Sequence, residues 1–223
     1  FEPGRLARLI GVAEAEGVEV IADLLVFFDL AANEIEEVQP ACSGAVQRLQ
    51  VEHFLQPDAE SGLDLGLVKP VFRRELVERR LWRYPDGVRH AEDLALYVSV
   101  LREGIEFALL REAHYLFSTR VGARSGRFSP GSVTAVNYNT VADQTEALRE
   151  DMQQAGDISP RLAQVFEDRI ARLRRQNRIY GWTVLRKGEM RRLMAWLRAD
   201  PRNRQDLFAV IAQKIRGKRG LPE

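Results

Sequence analysis

Val18 to Asp29, VEVIADLLVFFD, is apolar at almost every position, and it constrains the fold more than any other part of the chain. A strand with one wet face alternates apolar and polar residues, whereas a strand covered on both faces does not. Just before it, Leu6, Leu9, Ile10 and Ala13 recur at helical spacing, with Pro3 suited to a helix start and Gly17 to a stop. A helix feeding a doubly covered strand predicts an α/β sandwich. Glu19, Asp23 and Asp29 interrupt the run, so it falls short of the roughly 20 apolar residues that span a bilayer.

The remaining pattern predicts a sheet-bearing first part and a helical last part. Residues 31–64 have weak periodicity and several turn formers, and read as a long excursion with one helical piece near 44–55. Leu65 to Phe72 (LGLVKPVF) reads as a short strand or extended loop with Pro70 at an edge position, and Arg73 to Arg80 as a helix. After the turn Pro85-Asp86-Gly87, the positions Leu94, Tyr97, Val98 and Leu101 trace one helical stripe that Gly104 closes. Ile105–Leu110 and Ala113–Ser118 read as the next extended segments, and the glycine-rich stretch 122–131 as a flexible loop. Residues 139–155, 159–180, 187–199 and 204–216 carry helical patterning. With 45% hydrophobic residues among 223, such a chain can bury a real core.

A net charge of +1 hides a division. From Arg161 onward there are 17 Lys and Arg against 6 Asp and Glu, while the preceding residues hold 16 against 26. The asymmetry is that of a basic tail with an anionic partner, a lipid surface or a nucleic acid, or of a solvated helical face. Within the tail, Lys187 to Arg198 (KGEMRRLMAWLR) puts Met190, Leu193, Met194 and Leu197 on one helical face, with Trp196 flanking and Arg191, Arg192 and Arg198 around the rest. That pattern fits a helix lying in a lipid interface, or one packed on the sheet-bearing part. Nucleic-acid binding by the tail has charge alone in its favour, because interleaved aromatics and a reading helix are missing.

One cysteine, Cys42, excludes an internal disulfide, and with no charged-then-apolar leader the expected setting is a reducing, cytoplasmic one. His53, His90 and His114 are too far apart in sequence to suggest a zinc cluster. No Walker-type loop, G-x-S-x-G elbow or G-x-G-x-x-G is present. The candidate chemistry lies elsewhere, in Arg89-His90-Ala91-Glu92-Asp93-Leu94. Here two carboxylates open a helix directly after a turn. Acidic residues in a first helical turn gain about 0.3–1 kcal/mol each from the macrodipole. Reached through a turn, they can also project beyond a sheet edge, where open α/β sheets bind ligands. There a carboxylate can act as a general base toward a hydroxyl.

The succession PGRL, AxxxGVEVIADLLVFFD, LGLVKPVFRRELV, RHAEDLALYVSVLREG and HYLFSTRVGARS resembles the C-terminal half of the catalytic domain of inverting family 2 glycosyltransferases. The resemblance covers roughly residues 1–130 and points to the bacterial exopolysaccharide, succinoglycan-type branch. It implies residues 1–135 as the acceptor-side part of a GT-A-like (nucleotide-diphospho-sugar transferase) α/β sandwich, and residues 136–223 as a basic α-helical tail. It further implies a nucleotide-binding βαβ half that ends in an Asp-x-Asp metal motif and is followed by a phrase similar to FEPGRL. On this reading the chain alone is incomplete and inactive, and the divalent metal, Mg or Mn, is held outside it. Asp58, Asp64 and Asp143 are too scattered to replace that motif.

Carried over residue by residue, Asp93 matches the aspartate taken as the base that deprotonates the acceptor hydroxyl, and Glu92 its acceptor-orienting neighbour. Lys69 and Arg73, within VKPVFRR, match a phrase on the acceptor side of the cleft and are candidates for contacts to substrate or its phosphates. Arg120 and Ser125 fall on a later loop able to fold over the donor pyrophosphate, a role that suits the planar arginine fork. His90 is placed to orient the carboxylates. Ala91 departs from the glycine common before the pair, and Ala123 from the first serine of the later loop. The implied reaction transfers a sugar, with inversion, from a nucleotide-sugar donor to a saccharide or lipid-linked acceptor. It takes place in the cytoplasm or on the inner face of the membrane, where each nearby Lys or Arg of the tail adds about 1 kcal/mol of attraction.

Overall fold

The computed structural model describes residues 2–29, 34–38, 44–59, 62–84, 92–119 and 138–218. The chain divides into two compact units, Phe1–Gly131 and Ser132–Glu223. The first is a mixed α/β unit and the second is helical.

The first unit is organised by the apolar run. It forms β1 (Val20–Asp29), which pairs in parallel with β5 (Phe107–Thr119). Along its other side β1 pairs antiparallel with β4 (Val71–Phe72) at its start and with β2 (Glu34–Val38) at its end. Antiparallel β3 (Val46–Leu49) extends the sheet beyond β5, giving the order β2-β1-β5-β3. Val20 to Val26 are buried without alternation, as the sequence predicts for a strand covered on both faces.

The excursion expected over 31–64 is therefore corrected: β2 and β3 lie within it, followed by helix α2 (Val51–Leu55). The sequence EIEEV of β2 has little apolar content, and it forms a strand because β1 supplies the ladder of backbone partners. The two extended segments expected over 105–118 are one strand. Arg111 and Glu112 interrupt the apolar pattern because they form a bulge, with the register jumping from Asp23↔Leu110 to Leu24↔Ala113.

Helix α1 (Arg5–Glu16) ends at Gly17, whose φ of 69° is the left-handed geometry that favours glycine. Its buried face centres on Leu9, against Val18, Ile21, Ala108 and Leu110. Leu6 and Ile10, expected on that face, are 45% and 46% exposed. The helix is rotated so that Arg5 points inward instead. Helix α3 (Arg74–Glu78) follows β4, and α4 (Glu92–Arg102) precedes β5. Residues 65–72, read as one extended piece, are a 3-10 turn over Leu65–Leu67 leading into β4. Rings of Phe54, Tyr97 and Phe107 meet at centroid distances of 5.1–5.3 Å and fill the space between α2, α4 and the sheet.

The second unit comprises α5 (Tyr138–Ala155), α6 (Pro160–Arg186), α7 (Met190–Ala199) and α8 (Arg202–Lys218). Ser159 caps α6 by accepting from the Leu162 amide at 3.1 Å, and Pro160 supplies its first residue. Trp196, read from the sequence as flanking an apolar face, is fully buried with Leu193 and Val184. Its ring lies so close to Gly181 that a Cβ there would meet three ring carbons within 3.0 Å. Met190 and Met194 of the expected apolar face are 57% and 41% exposed. No described helix is long and apolar enough to cross a membrane.

Candidate active site around Asp93

Asp93 stands in the first turn of α4 and is about one quarter exposed, with both carboxylate oxygens engaged. Lys69 Nζ donates to Oδ2 at 2.8 Å and Tyr84 Oη donates to Oδ1 at 2.9 Å. A carboxylate oxygen has two lone pairs, so one bond to each leaves room for each to accept another hydrogen. The Tyr84 hydroxyl is a donor over a wide pH range. Its partial burial, then the hydrogen bond and charge of Asp93, push its pKa up to about 12.

Lys69 is placed by the fold. The carbonyl of Val68 accepts from buried Tyr97 Oη at 2.9 Å, and the next carbonyl, that of Lys69, accepts from Arg5 Nη2 at 2.6 Å. Tyr97 lies one turn along α4 from Asp93, so this helix grips the loop twice, once at its backbone and once at its ammonium. Burial first, and then Asp93 and Tyr84, raise the Tyr97 pKa well above the ordinary phenol value, which keeps it a donor.

Arg5 is itself held from the middle of the sheet. Its Nε lies 3.0 Å from both oxygens of Asp23 and its Nη2 lies 2.6 Å from Oδ1; the two residues are 3% and 0% exposed. The His114 amide donates to Asp23 Oδ2 at 3.2 Å, and the Tyr115 ring lies 5.0 Å from the Arg5 guanidinium carbon. A charge buried this deeply persists only when paired and hydrogen-bonded. Here one guanidinium satisfies Asp23 and fixes the Lys69 carbonyl.

Of the residues singled out in the sequence, Asp93 and Lys69 are brought into contact, and Glu92 stands half-buried beside them. Arg73 is exposed just before α3, and its amide donates to the Glu19 carbonyl at 2.9 Å. Its guanidinium takes no part in the bonds around Asp93. His90, Arg120, Ser125, Ala91 and Ala123 lie outside the described residues. Sequence reading missed Tyr84, Tyr97, Arg5 and Asp23. Asp23 gave a signal: a single carboxylate inside an apolar strand demands a buried partner.

The described residues do not fit a divalent metal. No group of three His, Cys, Asp or Glu is gathered to hold one, and the Lys69 ammonium occupies the cation position on Asp93. Asp58 pairs with Arg111 at 2.8 Å, Asp64 accepts from the Gly66 amide, and Asp143 pairs with Arg202 at 2.6 Å, so each scattered aspartate has a structural partner.

The sheet and its bonded carboxylate define a mixed α/β unit with the Asp93 carboxylate at a partly open position. No family model matches the chain. Among curated proteins it is similar to succinoglycan biosynthesis protein ExoO of Rhizobium meliloti (strain 1021), with 28% identity over 125 residues, 55% of this chain and 36% of ExoO. It is also similar to succinoglycan biosynthesis protein ExoU of the same strain, with 26% identity over 135 residues, 56% of this chain and 37% of ExoU. The chain thus spans little more than a third of the length of these curated relatives.

Proposed function

We propose that this chain is the acceptor-side part of a glycosyltransferase acting in bacterial exopolysaccharide assembly, with Asp93 as the base. The observation that carries the reading is the partly open Asp93 carboxylate, held by Lys69 and Tyr84 with accepting capacity to spare. The printed names of the two relatives support the process, succinoglycan biosynthesis. The likeness to inverting family 2, GT-A-type enzymes supplies the reaction type. An acceptor hydroxyl of a saccharide or lipid-linked sugar approaches Asp93 within hydrogen-bonding reach. As its oxygen bonds to the anomeric carbon of the nucleotide sugar, its proton passes to Asp93 and the bond from that carbon to the diphosphate oxygen breaks. One in-line displacement inverts the anomeric centre. Glu92 orients the acceptor. Lys69 holds the carboxylate in place, and Arg73, His90, Arg120 and Ser125 are the candidates for contacts to donor and acceptor.

On this reading the divalent cation belongs to an Asp-x-Asp element outside this chain. The helical unit, basic from Arg161 onward, draws the protein to an anionic inner leaflet. Binding to anionic phosphatidylglycerol vesicles that is reversed by salt is the expected result; equal binding to neutral vesicles contradicts it.

The function is tested by incubating the full-length protein with a panel of nucleotide sugars and bacterial lipid extract as acceptor. Transfer of sugar from one donor, with inversion, is expected. Donor hydrolysis without transfer, or no consumption of any donor, overturns the reading.

A further inference from the structure

Beside Asp93 stands a partly exposed aromatic surface at the edge of the core. Trp82 is half-buried and stacks on Phe72, with ring centroids 4.0 Å apart and an interplanar angle of 16°. Its centroid lies 6.1 Å from that of Tyr97, the α4 residue one turn from Asp93. Tyr84, two residues on, is 50% exposed and donates its hydroxyl to Asp93. The chain reaches this position through a costly turn. Arg80, just past α3, takes a left-handed φ of 60°, after which the amides of Leu81 and Trp82 both donate to the Leu76 carbonyl, at 2.8 and 3.0 Å. A non-glycine residue held in that region costs on the order of 1 kcal/mol or more, and the turn brings Trp82 back against edge strand β4.

We propose that Trp82, backed by Phe72 and continued by Tyr84, is a ledge that binds the apolar C–H face of a neutral pyranose, the acceptor ring whose hydroxyl Asp93 deprotonates. The inference rests on the function proposed above and adds the substrate class. A pyranose has polar edges and flatter faces lined by C–H groups, which pack on an aromatic ring and leave the hydroxyls free at the edge. Tyr84 belongs to the ledge and also bonds the Asp93 carboxylate, so a ring stacked there has its edge hydroxyls within the reach of that base. The face of an aromatic ring is the negative side of its quadrupole, so the ledge favours the C–H face of a neutral sugar over a phosphate or uronate.

The test uses the full-length protein with Trp82→Leu and Trp82→Phe, titrating nucleotide sugar and lipid-extract acceptor separately. Leucine is expected to raise the acceptor KM about tenfold and to leave the donor KM within about twofold, while phenylalanine recovers most of the loss. An unchanged acceptor KM overturns the ledge, and so does a donor KM that rises instead, which would mark Trp82 as a nucleobase platform. A second measurement is independent of turnover. In protein labelled with 5-fluorotryptophan, the Trp82 resonance, assigned by its loss in Trp82→Phe, is expected to shift on titration with cellotetraose. A Trp82 resonance that does not move contradicts the ledge. If Asp93→Asn abolishes transfer while Trp82→Leu leaves the acceptor KM alone, the ledge fails and the function stands. Normal turnover by Asp93→Asn removes the function itself, and the fluorine shift then decides whether the ledge binds sugar at all.

Discussion

The two units solve the same problem, a polar group inside a packed interior, in opposite ways. The sheet unit buries full charges: Arg5 with Asp23, and Arg111 with Asp58. The helical unit also buries Arg169 and Asp200, but it ties its helices together through neutral amides. There Trp196 Nε1 donates to Asn177 at 3.0 Å, and Asn177 and Asn139 both donate to the Asn203 side-chain oxygen, at 2.7 and 3.1 Å. Asn203 in turn donates to the Trp196 carbonyl at 2.6 Å. These bonds fix the register of α5, α6, α7 and α8, and Asn177 also donates to Asp206 Oδ2 at 3.1 Å. The charged pair in the sheet does more than hold elements together, because the Arg5 guanidinium also captures the Lys69 carbonyl. The buried ion pair of the sheet unit thus positions a residue of the candidate site, while the buried amides of the helical unit join helices to one another.

The largest expected effect comes from breaking the charged pair. Arg5→Met strands the Asp23 carboxylate and should cost about 3–5 kcal/mol in denaturant unfolding. Arg5→Met with Asp23→Leu should recover most of that loss, since both charges are gone. A single-variant loss below about 1 kcal/mol would mean that Asp23 is not sealed from water as its burial indicates.

In the helical unit the corresponding break is steric. Gly181→Ala puts a methyl group into the Trp196 ring and should cost about 1–3 kcal/mol, independent of pH. A neutral or stabilising outcome would show that α6 and α7 are not in this register. Asn177→Leu, which leaves the Trp196 N–H without its acceptor, should cost a similar or smaller amount, about 1–3 kcal/mol. A neutral outcome would show that these amides do not hold the helices in register.

The smallest effect is a pH signature confined to the sheet unit. His114 lies 2.9 Å from Glu2 and 3.0 Å from Glu112, and its pKa is raised by the hydrogen bond to Glu112 first and then that to Glu2. Its contribution is therefore fully present below the ordinary value of 6.5 and is lost as the pH rises through the higher folded value. The Glu112 pKa is lowered from 4.5 to about 2, chiefly by the Arg8 hydrogen bond, so its contribution holds above 4.5 and fades as the pH falls toward 2. Both are present between about pH 4.5 and 6.5. His114→Gln should cost less than about 1 kcal/mol at pH 6, with the difference vanishing by about pH 9. A difference that grows with pH would reverse the assignment.

Much of this architecture is legible in the residues alone. The continuous run 18–29 announces β1, the spacing of Leu94, Tyr97 and Val98 announces α4, and the tail helices follow from periodicity. What escapes is what depends on distant partners. β2 has no apolar alternation and exists through its ladder with β1, and β5 looks broken because Arg111 and Glu112 sit in a bulge. In the site, Glu92, Asp93 and Lys69 lie in phrases with a family resemblance. Tyr84, Tyr97 and Arg5 act through contacts 9, 29 and 64 residues away, which no local pattern carries. The orientation of α1 escapes for the same reason, since an arginine that looks solvent-facing is drawn inward by Asp23.

The proposed base, Asp93, receives the acceptor proton during the chemical step. Single-turnover transfer at saturating donor and acceptor, comparing the full-length protein with its Asp93→Asn variant, isolates that step from binding and product release. The amide keeps the shape and the hydrogen bond from Tyr84 but cannot take the proton. Transfer should slow by about 10²–10⁴-fold with donor affinity unchanged. A chemical step that proceeds at the parent rate would contradict the claim.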